Sequence, residues 1–501
     1  MDKSDIVRTG KPDDQNLRLE ATGTSTHVLP SGVDEHVSLN SANEKALVSR
    51  LDRWIIPPVM LMYFFSFLDR VNIGNARLYG MEEDLQLSGD QYQIAVSILF
   101  VTYILSELPS NLVLRRFRPS RWLAFITTSW GIVATLTGIV QSYAGLLACR
   151  VILGALEGGL LPGLTVYLTM FYTKRELALR IGYLFVSAAI AGSMGGLLAY
   201  GIGYMDGIGS QSGWRWIIIL EGIPTILLGI SILWWLADEP ESAFYLTPQE
   251  RDLVVLRKRR QIGHTTSSDE LHKADVYAAF MDWKTWLFCG AQFGSDIMLY
   301  GYSTFLPTII HGLGDWSSTQ VQALTIPCYA LGAISYLLVA WVSDRTQRRA
   351  VFVTIFGVIS MVGYGLLISP APNGARFLGC LLVAAGLYIV AGIPLAWLPS
   401  NNPRYGKRVT ASGLQLTIGN AAGIPAPFLY KTNDGPRYTL GHSVSLAMVT
   451  LTVMFVVMLW VWFARENKRR VSGGRDNWVE GMTEREIEER GEYNPRYLYS
   501  Y

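Results

Sequence analysis

The stretch that decides the fold is "WIIPPVMLMYFFSFLDRVNIGNA", residues 54–76, an apolar run that ends around an aspartate and an arginine. A helix of roughly 20 apolar residues crosses a bilayer core about 30 Å thick, and this run is long enough. An ionised side chain in such a helix costs roughly 2.5–3.5 kcal/mol on insertion scales. We therefore expect a membrane-spanning helix in which Asp69 and Arg70 face protein partners or water instead of lipid.

The composition is that of a membrane protein with many spans. Of the 501 residues, 50% are hydrophobic and only 16% are charged, with a mean hydropathy of +0.26, whereas soluble domains carry about 25% charged residues. A formal net charge of +2 lacks the clustered excess that nucleic-acid binders need, so nucleic acid is not an expected partner. The four cysteines show no C-x-x-C spacing, and we expect neither a metal nor a cofactor.

Apolar runs recur twelve times along the chain, separated by charges, prolines and glycines. The predicted spans are 54–76, 94–114, 122–141, 146–170, 181–203, 214–236, 284–310, 320–341, 350–369, 376–398, 409–430 and 443–464. Basic residues concentrate in every even-numbered loop, and the positive-inside rule then places both termini in the cytoplasm. We predict an all-α membrane protein of twelve transmembrane helices.

The polar segments divide the chain into five parts. These are an N-terminal tail at 1–50, a first bundle at 51–236, a cytoplasmic central loop at 237–283, a second bundle at 284–464 and a C-terminal tail at 465–501. Both tails are polar without periodicity, so we expect both to be largely disordered. In the central loop, Thr247 and Glu250 predict the capping box of a surface helix that faces anionic lipid headgroups. The first 50 residues lack the apolar core of a cleavable signal peptide.

Several motifs resemble one known family. Residues 340–349, "AWVSDRTQRR", resemble the G-x-x-x-D-R-x-G-R-R loop of the major facilitator superfamily, with Ala340 and Gln347 replacing the two glycines. Four other motifs are similar to the anion:cation symporter family within it: "FLDRVNIGNA" (67–76), "SELPSN" (106–111), "CRVILGALEGGLLPG" (149–163) and "GWRWIIILEGIPT" (213–225). The nearest branch is that of fungal allantoate and nicotinate permeases. The resemblance covers about residues 50–470 and implies two pseudo-symmetric six-helix bundles.

Four charges within the spans predict one shared cavity. Asp69 lies about 22 Å along the first span from its start, and the oppositely directed fourth span carries Arg150 to a similar depth. Glu157 lies two helical turns beyond Arg150 on the same face, about 10 Å deeper. Charges that cannot face lipid must face one another or water, so Arg70 joins the same group.

This group of charges predicts anion binding and proton coupling. Two arginines can hold a carboxylate bidentately, while Asp69 and Glu157 can take up protons. The family resemblance implies the same roles for these two residues and for Arg70 and Arg150. The alternatives are snorkelling of Asp69 and Arg70 at the outer interface and an ion pair of Arg150 with Glu157 that only packs two helices.

Other polar residues in the spans are further candidates. Tyr103, Gln292 and Asn420 can contribute hydrogen bonds to a substrate from the cavity wall, or can pack between helices. Asp296 lies near the middle of span seven, where the resemblance implies an uncharged residue. It is either a further proton-coupling group or a counter-ion for a cationic part of the substrate. Glu221 is expected to be structural.

Proton-coupled symport of a small organic anion, such as a nicotinate- or allantoate-like carboxylate, is the function that these features favour. We expect a monomer in the plasma membrane. An exporter of an acidic secondary metabolite would have the same fold and reversible coupling, so direction stays open. A nutrient-sensing transceptor would need a long cytoplasmic tail, and residues 465–501 are few. Catalysis is not expected, because the chain has no HExxH, GxSxG or GxxxxGK[ST] motif.

Overall fold

A computed structural model describes residues 41–116, 118–262, 272–431, 434–483, 486–487 and 490–501. The chain divides into a unit of residues 1–44, almost all outside the described residues, and a unit of residues 45–501, which is considered below. Throughout the described residues the secondary structure is helical, with no strand. The predicted all-α class is therefore confirmed.

The first half of the bundle, residues 45–235, is formed by seven long or medium helices and one short helix. Their bounds are α1 Ser41–Leu78, α2 Met81–Asp84, α3 Gln91–Arg116, α4 Pro119–Thr137, α5 Tyr143–Glu157, α6 Leu160–Phe171, α7 Lys174–Ile202 and α8 Gly213–Trp235. Two connecting helices follow, α9 Pro248–Ile262 and α10 Lys273–Met281. The second half, residues 283–471, contains α11 Trp283–His311, α12 Ser318–Thr346, α13 Arg349–Ile368, α14 Asn373–Ser400, α15 Tyr405–Ala421 and α16 Thr439–Val471.

Each predicted span overlaps a helix, and the fourth is built from two helices; the eleventh, 409–430, extends beyond the end of α15 at Ala421. α5 and α6 are separated by Gly158 and Gly159, so span four is broken at its centre. Within the described residues, eight helical stretches are long and apolar enough to cross a membrane. The other four, α3, α4, α11 and α15, are shorter or more polar. The count of twelve crossings and the cytoplasmic termini stay predictions.

The two halves pack against each other through small residues on α7. A Cβ atom on Gly192 would lie 2.7 Å from the Tyr329 ring, and one on Gly196 would lie 2.2 Å from Thr325 Oγ1. Both partners belong to α12, so the pair of glycines spaced by four residues lets α7 and α12 approach closely. This small-residue face of α7 is thus an interface between the halves.

The halves also meet at one end of the bundle. We call the end that carries residues 472–501 the tail side and the opposite end the far side. On the far side, the Ser97 hydroxyl donates to the Ile424 carbonyl at 2.7 Å, and Lys431 pairs with Asp90 at 2.8 Å. Contacts between α3 and the α15 region therefore close the far side.

The helix of the central loop docks on the first half. Thr247 and Glu250 form the predicted capping box, with the Thr247 amide donating to Glu250 at 2.9 Å. Glu250 also pairs with Arg50 at 2.8 Å, and Arg257 pairs with Glu176 at the start of α7. At least these side chains of α9 bind protein partners, not lipid headgroups.

The predicted disorder of the C-terminal tail is wrong for its described residues. Tyr499 packs on Phe463 with ring centroids 4.7 Å apart, and Ser500 bonds with Asn401. Glu492 accepts a hydrogen bond from Lys407 at 2.6 Å. Aromatic contacts and a buried ion pair hold this segment against the bundle, although its sequence shows no hydrophobic periodicity. At the other terminus, residues 41–50 are helical, and residues 1–40 of the predicted N-terminal tail lie outside the described residues.

Candidate functional site

Asp69 and Arg70 point in different directions. Successive residues on a helix are separated by about 100° around the axis and do not face each other. Asp69 is buried against α4, where it accepts a hydrogen bond from the Trp130 indole, and Asn72 lies 3.4 Å away on α1. Asp69 and Arg70 therefore have different partners.

Arg70 instead pairs with Glu157 at the end of α5. Its Nε donates to Glu157 Oε1 at 2.7 Å, and the Ser66 hydroxyl donates to the same oxygen. The guanidinium also lies 4.8 Å from the centre of the Tyr103 ring, a cation–π contact. Glu157 has no exposed side-chain surface, and its Oε2 has no hydrogen-bond partner. The carboxylate is thus held on one oxygen only.

Arg150 is a buried cation whose guanidinium has an unused hydrogen-bond donor. Only 3% of its surface is exposed, its Nε has no hydrogen-bond partner, and it forms no salt bridge with any described residue. Its electrostatic neighbours include Asp69 on α1 and Tyr92 on α3. The alternative of an ion pair between Arg150 and Glu157 does not hold, because Glu157 pairs with Arg70.

A small cavity between the halves brings the two arginines together. Arg70 of α1 and Arg150 of α5 line one side of it. The other lining residues include Phe67, Phe100, Tyr300, Ser303 and Thr304. Helices α1, α3, α5 and α11 therefore contribute to one cavity. Of the four charges predicted to share it, Arg70 and Arg150 line it, whereas Asp69 and Glu157 are not among its lining residues. Two guanidinium groups border this cavity, whose volume of about 20 Å³ is enough for one water molecule.

Glycines allow α5 to place Arg150 and Glu157 against α3. A Cβ atom on Gly154 would lie 2.2 Å from the Leu99 carbonyl oxygen, and one on Gly158 would lie 2.3 Å from the Tyr103 carbonyl oxygen. Only glycine fits at such distances, so the Gly-rich sequence around Glu157 fixes the helix–helix approach.

The second half contributes a separate polar cluster. Gln292 donates to Asp296 at 3.0 Å and to the Ala391 carbonyl at 3.1 Å, and it accepts from Gln415 at 3.2 Å. One turn further along α11, the Tyr300 hydroxyl donates to Asn420 at 2.7 Å. Gln292 thus orients Asp296, because its amide is occupied by protein partners.

Two hydrogen-bond donors to these carboxylates were not predicted from the sequence. Trp130 is fully buried and donates to Asp69, and Ser66 donates to Glu157. A buried indole N–H needs an acceptor, so a tryptophan in the middle of span three was a usable signal. Ser66 lies four residues before Arg70 and hence on its face of α1. No group of three or more His, Cys, Asp or Glu among the described residues could hold a metal ion.

A helical bundle with buried charges around a cavity between its two halves is the architecture of secondary membrane transporters. The model of the Major Facilitator Superfamily matches residues 59–427, and the chain belongs to this superfamily. It is therefore an integral membrane transporter with several spans.

Its relatives are fungal transporters. An uncharacterized transporter of Schizosaccharomyces pombe is 39% identical over 442 residues, 87% of this chain and 87% of the relative. The high-affinity nicotinic acid transporter of Saccharomyces cerevisiae is 31% identical over 428 residues, 85% of this chain and 79% of the relative. The predicted resemblance to a fungal permease branch is confirmed.

Solved structures show the same fold. A bacterial homolog of the human lysosomal transporter Spinster, in an inward-facing and occupied conformation, matches with a TM-score of 0.59 at 16% identity, over 85% of this chain and 97% of that one. At this identity the match concerns the fold alone.

Proposed function

We propose that the protein is a proton-coupled symporter of a small organic anion. The observation that carries this proposal is the ion pair of Arg70 with Glu157 beside a cavity that Arg150 also lines. The name of the yeast relative, a transporter of nicotinic acid, supports a small carboxylate as the substrate class.

Competition for Arg70 couples the proton to the anion. While Glu157 is ionised it holds the Arg70 guanidinium at 2.7 Å. When Glu157 takes up a proton, Arg70 loses its counter-ion and can turn to the substrate carboxylate together with Arg150. Anion and proton then bind together, and the protein carries them together. Asp69, held by Trp130, is the further proton-coupling group of the first half.

Alternating access moves the site between the two sides of the membrane. The two six-helix bundles, residues 51–236 and 284–464, rock against each other along interfaces such as that of α7 with α12. Both termini lie in the cytoplasm, twelve helices cross the plasma membrane, and the transporter acts as a monomer.

Uptake into proteoliposomes tests the proposal. A panel of labelled organic anions is offered with and without an inward proton gradient. We expect at least one carboxylate to enter faster with the gradient and this stimulation to vanish with a protonophore. If no anion shows a gradient-stimulated flux, the symport proposal fails.

Arg150→Gln tests the binding role of the free guanidinium. The glutamine keeps a polar side chain but removes the positive charge from the cavity, so we expect binding of the transported anion to be lost. Arg376→Gln is the matched control, because Arg376 is also a buried arginine, on α14, but does not line the cavity. Equal effects of the two substitutions would contradict the role of Arg150.

A further inference from the structure

Asp296 is a carboxylate without a countercharge in the centre of α11. It is only 6% exposed, and it forms no salt bridge with any described residue. Its hydrogen bond from Gln292 is a neutral amide contact at 3.0 Å. A buried carboxylate is costly unless it is paired or protonated, so Asp296 is suited to take up either a proton or a donor group of the substrate.

Three helices hold this carboxylate in one orientation. On one side Gln292 is fixed by Ala391 of α14 and Gln415 of α15. On the other side a Cβ atom on Gly419 would lie 2.4 Å from Asp296 Oδ2, so only glycine leaves room for that oxygen. These contacts fix the orientation of the Asp296 carboxylate, as is typical of a side chain that binds a ligand.

Asp296 belongs to α11 of the second half, whereas the two arginines belong to α1 and α5 of the first half. Tyr300, one turn later on the same face of α11, lines the cavity with Arg70 and Arg150. Asp296 does not line that cavity itself and lies about 6 Å before Tyr300 along α11. Tyr63 of α1 lies within electrostatic range of both Arg70 and Asp296. The guanidinium groups at this cavity thus come from the first half, and the nearest carboxylate of the second half is Asp296.

We propose that Asp296 selects organic acids that carry an N–H donor or a protonated nitrogen several ångströms from the carboxylate. The arginines bind the carboxylate, and Asp296 accepts a charge-assisted hydrogen bond from the nitrogen end. A site that hydrogen-bonds a substrate N–H discriminates strongly against an analogue that lacks it. The inference rests on the proposed function, because it names the residue that binds the nitrogen end of the anion whose carboxylate the arginines bind.

Matched pairs of acids test this assignment by proteoliposome uptake. N-carbamoyl-β-alanine is paired with 5-oxohexanoate, and 3-aminobenzoate with 3-methylbenzoate; in each pair carbon replaces nitrogen at nearly constant shape. The wild-type protein should prefer the donor-bearing acid in both pairs. Asp296→Asn should lower this preference by about tenfold or more, because the amide presents its own N–H groups to the substrate donor. Asp315→Asn, an exposed change after α11, should leave the preference unchanged.

The possible outcomes separate this inference from the proposed function. An unchanged preference in Asp296→Asn overturns it, and so does an equal loss of gradient stimulation for both acids, which would make Asp296 a proton carrier. Transport of other anions but of neither donor-bearing acid also overturns it. Absence of any anion transport contradicts the proposed function itself. If Asp296→Asn does not fold, Gly419→Ala, which presses a methyl group on the carboxylate, should lower the same preference.

Discussion

Replacing Glu157 by glutamine should make the transporter bind its anion more tightly and lose proton coupling. The glutamine has nearly the same volume and can still accept hydrogen bonds from Ser66 and Arg70, so the packing at the end of α5 is kept. What disappears is the negative charge that holds the Arg70 guanidinium at 2.7 Å. Arg70 is then held more weakly at every pH and is more readily available to the substrate carboxylate.

The size of the effect follows from this one contact. A hydrogen bond to a charged group contributes about 1.5–3 kcal/mol and a neutral one about 0.5–1.5 kcal/mol. Arg70 is therefore released by roughly 1–2 kcal/mol, which corresponds to about 5- to 30-fold tighter anion binding. The dissociation constant of the variant should also no longer vary with pH over the range in which the wild-type value does.

Binding to the purified protein in detergent, by calorimetry, measures both effects. In proteoliposomes Glu157→Gln should keep anion counterflow but lose accumulation driven by a proton gradient. Glu221→Gln is the control, since Glu221 is a carboxylate only 2% exposed in the same half that does not contact Arg70. Unchanged or weaker anion binding in Glu157→Gln, or undiminished accumulation, would refute the competition for Arg70.

Three further predictions concern the supports of the site and of the fold. Trp130→Phe removes the indole donor to the α1 aspartate and should lower stability by about 1–3 kcal/mol, measured by thermal unfolding in detergent. Gly154→Val forces a side chain against the α3 backbone and should cost about 1–3 kcal/mol or more, whereas Gly182→Val, where a Cβ atom meets open space, should cost little. Glu492→Gln breaks a buried ion pair and should weaken tail docking by about 3 kcal/mol, seen as faster hydrogen exchange in residues 490–501.

Each of these has an outcome that would count against it. An unaltered melting temperature in the tryptophan variant would mean that the indole contact contributes nothing. Equal stability of the two glycine variants would contradict the close approach of α3 and α5. For the tail, Glu480→Gln, an exposed change in the same segment, should not alter exchange; equal exchange in both variants would show that the ion pair does not hold the tail.

The helices could be predicted from the sequence because lipid imposes one simple rule. Runs of roughly 20 apolar residues have few alternatives to a helix in a bilayer, and every predicted span overlaps a helix. The break of span four after Glu157 was harder to predict. Glycine in a membrane helix serves close packing as often as it marks a break, and only the contact with α3 decides between the two.

The pairing of the charges could be predicted only in part. The distance of each residue along its span correctly predicted that Arg70 and Arg150 lie at one cavity, because the rise per residue is fixed in a helix. The direction of each side chain around its helix depends on which neighbouring helices pack there. Asp69 therefore meets Trp130 of α4, a contact that depth alone does not indicate. The C-terminal tail escaped prediction because its order depends on contacts with α14, α15 and α16.

The most direct test of proton–anion symport is the movement of protons that an anion gradient alone produces. Proteoliposomes containing a trapped pH-sensitive dye are given the transported anion outside, at equal pH on both sides. We expect rapid acidification of the interior in wild-type vesicles, and none beyond that of protein-free liposomes in Glu157→Gln vesicles. Entry of the anion into wild-type vesicles without acidification would contradict the coupling.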